Sequence, residues 1–371
     1  MNWFAIDNAA EIPSPALLIH WERVEANLRE MLRIAGSPAR LRPHIKTHKL
    51  PELMRRQAEL GITKCKCATI AEAEMAATNG ADDILLAYQP VGPHARRFVE
   101  LIATYPQCRF ACLADDPAAV GALANARLGL PISEPVEILI DLDIGQHRTG
   151  ILPGPKSVEL ARLIHSLPHV KFAGLHAYDG HIYDPDPAER AARCEAAFAP
   201  VRELKHALEA AGIPVPAIVA GGSPTFAIHA RRDEPGLELS PGTTVFWDAG
   251  YAKKLPDLNF LPAAVLLTRV VSKPATNRLC LDLGHKAVAA EMPQPRAIFL
   301  NLPDATPVMH SEEHLVVETP HASDFAVGDV LYALPWHVCP TVALHEEVFV
   351  VEGGHVRARW QVTARRRRLE I

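Results

Sequence analysis

Short apolar runs recur along the first two thirds of the chain, separated by segments of helical length. Those near 16–20, 41–46, 65–69, 84–87, 109–113, 136–142, 172–178, 217–221 and 237–239 are too brief for buried helices and read as β-strands. Between the first two, Val24, Leu28 and Leu32 fall at helical spacing and predict a helix over 21–35. A second helix is expected to begin at Leu50-Pro51-Glu52. A long alanine- and glutamate-rich helix is expected over 188–211, after Asp184, Pro185, Asp186 and Pro187, residues that suit a turn and a helix start. Strands alternating with helices predict a parallel α/β fold. With the first run set aside, eight strands remain, the number that closes a (β/α)8 barrel.

Beyond about residue 251 the texture changes. Runs at 265–271, 279–283, 315–318, 330–333 and 348–351 read as strands joined by turns, a mostly β C-terminal domain. The expected division is a barrel over 21–250 and a β-domain over 251–371.

Composition narrows the function more than the fold. A chain of 371 residues suffices for a barrel and a second domain. Hydrophobic residues make up 49% and charged residues 22%, as in ordinary globular proteins. A net charge of −5 gives no reason to expect nucleic acid or an anionic membrane as partner. No apolar run approaches the roughly 20 residues that span a bilayer. Met1-Asn2-Trp3-Phe4 lacks the basic start of a secretory signal, so a cytoplasmic protein is expected. Seven cysteines, an odd number, do not suggest a disulfide framework. Cys65 and Cys67 would share one strand face and are expected in the core. The run Arg365 to Arg368 is expected to be a solvated chain end.

Two segments suggest chemistry. RPHIKTHK (42–49) delivers Lys46 near the C-terminal end of a strand, the edge at which parallel sheets bind ligands. Its plain alternative is a solvated basic turn. In His337-Val338-Cys339, two donors that suit zinc stand two residues apart, so they could share one face of an extended segment. Two ligands alone do not make a metal site.

RPHIKTHK is followed in order by DLDIGQHRTG (141–150), GLHAYDGH (174–181), GGSPT (221–225), SPGT (240–243) and WHVCPT (336–341). Together these blocks resemble the D-threonine aldolase and D-serine dehydratase family, whose members carry pyridoxal 5′-phosphate (PLP) on an alanine-racemase-like barrel. The resemblance implies that the strand at 16–20 joins the C-terminal β-domain. It also implies that Lys46 holds the PLP aldehyde, with Lys49 as the nearby competitor. Gly222, Ser223, Thr225, Gly242 and Thr243 would form the phosphate cup, and Arg148 would meet the phenolic oxygen, unless it is a surface arginine pairing with Asp143. Tyr178 would contact the cofactor ring, with His176 facing inward beside it, unless it is simply a core histidine. His337 and Cys339 would hold a divalent metal (zinc, manganese or magnesium), and His181 would serve as base for the substrate hydroxyl.

The activity so implied is that of a lyase acting on D-3-hydroxy-α-amino acids, narrowly favoured as D-threonine-aldolase-type cleavage to glycine and an aldehyde. The alternative is a D-serine or 3-hydroxy-D-aspartate dehydratase yielding a keto acid and ammonia. Cys339 points that way, because aldolases of the family pair histidine with aspartate at these positions and dehydratases pair it with cysteine. An amino-acid racemase would need a second base and no metal. A non-catalytic PLP carrier would lack the C-terminal domain. Family members build their site where two subunits meet, so a homodimer is expected.

Overall fold

The computed structural model describes residues 2–130, 132 and 134–371. Two compact units divide the chain. One comprises Met31–Lys46, Pro51–Gly242 and Arg366–Ile371, the other Met1–Glu30, Thr47–Leu50 and Thr243–Arg365.

The strands are numbered along the chain, and β1 (Ala16–His20) lies in the second of these units. In the first, seven parallel strands follow one another in sequence order: β2 (Lys64–Cys67), β3 (Asp83–Leu86), β4 (Arg109–Ala114), β5 (Val136–Asp141), β6 (Val170–Ala177), β7 (Ile218–Ala220) and β8 (Leu237–Leu239). The strand expected at 41–46 is not a regular strand. It makes two isolated parallel bridges, Leu41 to Leu239 and His44 to Lys66, and then turns into a single 3-10 turn, Ile45–Thr47, that carries Lys46. Pro43 has no N–H to donate, which breaks the ladder. The segment nonetheless closes the ring. Arg42 and His44 donate backbone N–H groups to the carbonyls of Leu239 and Pro241, each at 2.8 Å, while the N–H of Lys66 donates to Pro43. A closed α/β barrel results.

Alternation along the strands turns Leu85, Ala111, Leu113, Leu139, Ala173 and Val219 into one buried cluster. Cys65 and Cys67 are buried free thiols. Outside the strands, the helix expected at 188–211 runs over Pro187–Ala210, where the Asp186 carboxylate accepts from the N–H groups of Ala188 and Glu189. A proline at its first turn costs nothing, because that N–H would have no helical partner.

The second unit is a mixed sheet built around the long β9 (Ala264–Ala275). β1 pairs antiparallel with β9 and parallel with β15 (Glu347–Glu352), so the N-terminal strand does join the C-terminal domain. The expected strands reappear as β9, β10 (Arg278–Leu281), β13 (Leu315–Glu318), β14 (Val330–Pro335) and β15. Three were not legible in the sequence: β11 (Ala297–Phe299), β12 (Thr306–His310) and β16 (His355–Gln361). β11 is too short to show alternation, Pro307 interrupts β12, and β16 carries four polar residues on a largely solvent-facing edge. Trp21–Ala35 is helical as expected, and its Asn27 side-chain amide donates to the carbonyls of Val245 and Leu261. That tie draws the start of the helix into the second unit. Among the described residues, no helix is long and apolar enough to cross a membrane.

Candidate active site

The first unit gathers a charged cluster at the C-terminal ends of its strands. Lys46 is half-buried, and the Nδ1 of His44 accepts from its backbone N–H at 3.4 Å. From the neighbouring strand β2 projects a second lysine, Lys66, which is only 2% exposed. Its Nζ lies 3.4 Å from Nε2 of His176 on β6 and 5.2 Å from the centre of the Tyr178 ring. Burial, and then the nearby Lys46 charge, push the Lys66 amine down to about 7. The Nδ1 of His176 is 2.7 Å from a carboxylate oxygen of Asp141 on β5, and burial followed by Lys66 keeps this imidazole below its ordinary range. Burial works against the Asp141 charge, but His176 and the Thr149 hydroxyl hold the carboxyl low. The Arg148 guanidinium lies 5.2 Å from the Tyr178 ring centre. Lys46, Arg148, His176 and Tyr178 are thus brought together. The sequence reading missed Lys66, although a lysine inside a strand of a parallel sheet, a place normally buried on both faces, was a usable signal.

Beside this group lies the glycine turn. A Cβ on Gly222 would sit 3.2 Å from the Tyr178 ring, and one on Gly180 would overlap the Tyr178 hydroxyl at 2.1 Å. The side chain of Tyr178 therefore fills a cradle that these two glycines leave open. The Ser223 hydroxyl accepts from the N–H of Gly242 at 3.2 Å. Thr225 is fully buried, and its hydroxyl donates to Asp179 at 2.7 Å while accepting from the N–H of Gly222, so it shapes the turn from behind. Asp179, Cys194 and His229 place three donor atoms within 4.8 Å of one another, all buried. The Asp179 oxygens already accept from Gly222, Thr225 and His229, and the Arg232 side chain donates to His229 and Cys194. A cationic neighbour and a satisfied carboxylate make this cluster a brace for the turn rather than a cation cage. His181 packs against Gly145. Its Nδ1 is buried without a hydrogen-bond partner, and burial lowers its affinity for a proton.

In the second unit His337 precedes, and Cys339 lies within, the helix Val338–Leu344, so the pair is not on an extended segment as expected. His337 has extended backbone and the chain turns helical at Val338, whose N–H donates to the buried Asp248 carboxylate at 3.0 Å. Burial lifts Asp248 to about 6. Nδ1 of His337 lies 2.5 Å from Glu291. Burial opposes the His337 charge, but hydrogen bonding to the Cys339 sulfur and to Glu291 outweighs it and raises the ring to about 9. The sulfur in turn lies 3.2 Å from the Thr47 hydroxyl and 3.5 Å from that of Thr243. Imidazole and sulfur within hydrogen-bonding reach, braced by a carboxylate, form a donor set that suits a divalent metal of intermediate softness. Thr243 was expected in the phosphate cup; its hydroxyl lies beside the Cys339 sulfur.

Known proteins align over nearly the whole chain. The alanine racemase N-terminal domain matches residues 19–249 and a serine dehydratase domain matches residues 263–351. A D-threonine aldolase from Arthrobacter sp is 32% identical over 364 residues, covering 97% of this chain and 94% of the relative. The crystal structure of a D-threonine aldolase from Filomicrobium marinum superposes with a TM-score of 0.87 at 30% identity, covering 98% of both chains. D-threo-3-hydroxyaspartate dehydratase from Delftia sp. HT23 superposes with a TM-score of 0.83 at 25% identity, covering 95% of this chain and 98% of that one.

Proposed function

The chain belongs to the family of PLP-dependent lyases that joins an alanine racemase N-terminal domain to a serine dehydratase domain, and from that premise we propose that it cleaves D-3-hydroxy-α-amino acids between Cα and Cβ, releasing glycine and an aldehyde. The observation that carries this reading is the full-length likeness to D-threonine aldolases in both sequence and fold.

The residues fit the cofactor. Lys46 and Arg148 supply cationic groups for a polyanion, and glycine at 222, where a Cβ would crowd the Tyr178 ring, keeps that ring against the glycine turn as a backing for the cofactor. Bound there, PLP would supply a sink for the electron pair released at Cα, and a divalent ion at His337 and Cys339 would supply charge for the 3-oxygen. Lys46 would hold the aldehyde, Tyr178 would back the ring, Arg148 would meet the phenolic oxygen, and Ser223 with the turns at Gly222 and Gly242 would take the phosphate. His181, kept neutral by burial, takes the proton of the 3-hydroxyl as the bond to Cβ opens.

Cys339 favours a second reading. A thiolate selects zinc, and a Lewis acid of that kind assists departure of the hydroxyl from C3, the step of a dehydratase. In that case Lys46 removes the α-proton, and the products are a keto acid and ammonia.

A product assay separates the two. PLP-loaded protein is given D-threonine or D-serine, with and without EDTA. Glycine and acetaldehyde from D-threonine, lost with EDTA and restored by metal, is the expected result. Keto acid and ammonia would replace the aldolase reading by the dehydratase one, and absence of both products would overturn the substrate assignment.

A further inference from the structure

Lys66 lies in the pocket assigned to the cofactor, yet none of the roles derived above needs a second buried lysine. Among the described residues no carboxylate forms an ion pair with it, and its contacts are His176 and the Tyr178 ring. The charged groups that bear on it are Lys46, Asp141, Asp179 and Arg148. A buried amine without a counter-ion is costly to charge, so it gives up a proton readily.

Its contacts continue outward. Asp141 fixes the proton of His176 on Nδ1, which leaves the Nε2 lone pair to accept from Lys66 at 3.4 Å. The other oxygen of Asp141 accepts from the Thr149 hydroxyl at 2.8 Å, and Thr149 is exposed to solvent. An unbroken line of exchangeable protons thus crosses β2, β6 and β5 and ends at the surface.

We propose that Lys66, His176, Asp141 and Thr149 form a proton path that connects the pocket around Lys46 with solvent, Lys66 being its inner end. The inference rests on PLP being held at Lys46 but not on which bond of the substrate breaks. In the outward direction the Lys66 ammonium passes a proton to Nε2 of His176 and the ring releases its Nδ1 proton to one oxygen of Asp141. Rotation of the protonated carboxyl then turns that proton to the Thr149 oxygen, which gives its own hydroxyl proton to water, and the next inward transfer returns the His176 proton to Nδ1. No charge is created or lost overall, and reversing each transfer brings a proton in. Every group except Thr149 is buried, so the path is shielded from competing water.

Exchange of the glycine α-hydrogen with D2O, followed by proton NMR on the PLP-loaded full chain, reads this path without requiring a lyase substrate. Lys66→Met and Thr149→Val should each slow exchange, Lys66→Met by on the order of 100-fold, with the visible PLP absorption retained. Added imidazole should restore much of the lost rate, which a merely structural role of Lys66 would not allow. Lys66→Arg should not rescue, because guanidinium does not release a proton at neutral pH. In the apoprotein, the 13Cε resonance of labelled Lys66 should titrate far below an ordinary lysine and shift with Asp141→Asn. Wild-type exchange in Lys66→Met with its PLP band intact, or loss that imidazole leaves untouched, overturns the path. Exchange that depends on Lys66 in a protein inert towards D-threonine and D-serine would keep the path and remove the substrate reading. A PLP band surviving in Lys46→Ala would remove the cofactor assignment and the path with it.

Discussion

His337 and Glu291 are joined by a contact of 2.5 Å between Nδ1 and a carboxylate oxygen. The carboxylate fixes the ring proton on Nδ1 and leaves Nε2 as the lone pair for a metal, the arrangement in which a second residue orients a ligand histidine. Glu291→Ala should weaken zinc binding by about 10- to 100-fold, with Glu291→Gln between the two because its amide oxygen still accepts. Competition against a chromophoric chelator measures this directly. An unchanged dissociation constant would mean that the ring holds its orientation without Glu291.

The same ring sets a pH dependence. His337 in the metal-free protein binds its proton up to about pH 9, and a metal takes only the neutral imidazole. Below that pH the metal must displace a proton, so apparent zinc affinity should climb as pH rises from 6 towards about 9 and then flatten. Proton release on zinc binding, followed in weakly buffered solution, should fall over the same interval. A flat affinity profile would contradict the assigned ligand.

Arg42 opens the octapeptide of Lys46 but serves the barrel seam. It is 3% exposed, with Nε 2.5 Å from Glu238 on β8 and Nη1 2.8 Å from Asp83 on β3. Removing one member leaves two carboxylates buried without their shared cation. Arg42→Met should therefore destabilise the protein by about 3–5 kcal/mol, read from the urea midpoint. A loss under about 1 kcal/mol would show that water or Lys64, already 2.6 Å from Glu238, takes over.

What could be read from the chain follows from which interactions are local. Alternating strands and helices revealed the barrel, because each strand carries its own apolar run. The RPHIKTHK and WHVCPT blocks pointed to Lys46, His337 and Cys339 through their resemblance to the family, since local spacing alone offered only a lysine near a strand end and two donors two residues apart. Partners remote in sequence left no such trace. Glu291 lies 46 residues before His337, and Asp179 lies 50 before His229, and only folding brings each pair together. Lys66 was hidden differently: it stands beside two core cysteines, and its inward direction emerges only when β2 pairs with β3 and the bridge at His44. The helix at Val338 was missed because its short run Val338–Leu344 contains Pro340, which the pattern treats as a breaker but which fits a first turn.

Asp179 and His229 are each about 1% exposed and 2.8 Å apart, and Asp179 also accepts from the Gly222 N–H and the Thr225 hydroxyl. Burial alone would raise this carboxyl; the bonds from His229, Thr225 and Gly222 more than offset it and hold the folded value below the ordinary one. A carboxyl with a lowered folded value stabilises the protein fully above its unfolded value of about 3.9, and that contribution fades as pH falls through the folded value. Asp179→Asn keeps an oxygen for Gly222 and Thr225 but turns a donor towards the His229 N–H. It should cost about 3–5 kcal/mol at pH 7, and the gap to wild type should narrow as pH is lowered from about 5 towards 2. Urea midpoints of both proteins across that range test it. Because the Gly222 turn is held by the same carboxylate, the variant should also bind PLP more weakly, a loss that equilibrium dialysis at pH 7 would register. A gap that stays constant with pH would mean that Asp179 is not ionised in the folded state, and the brace would then be a neutral hydrogen-bond network.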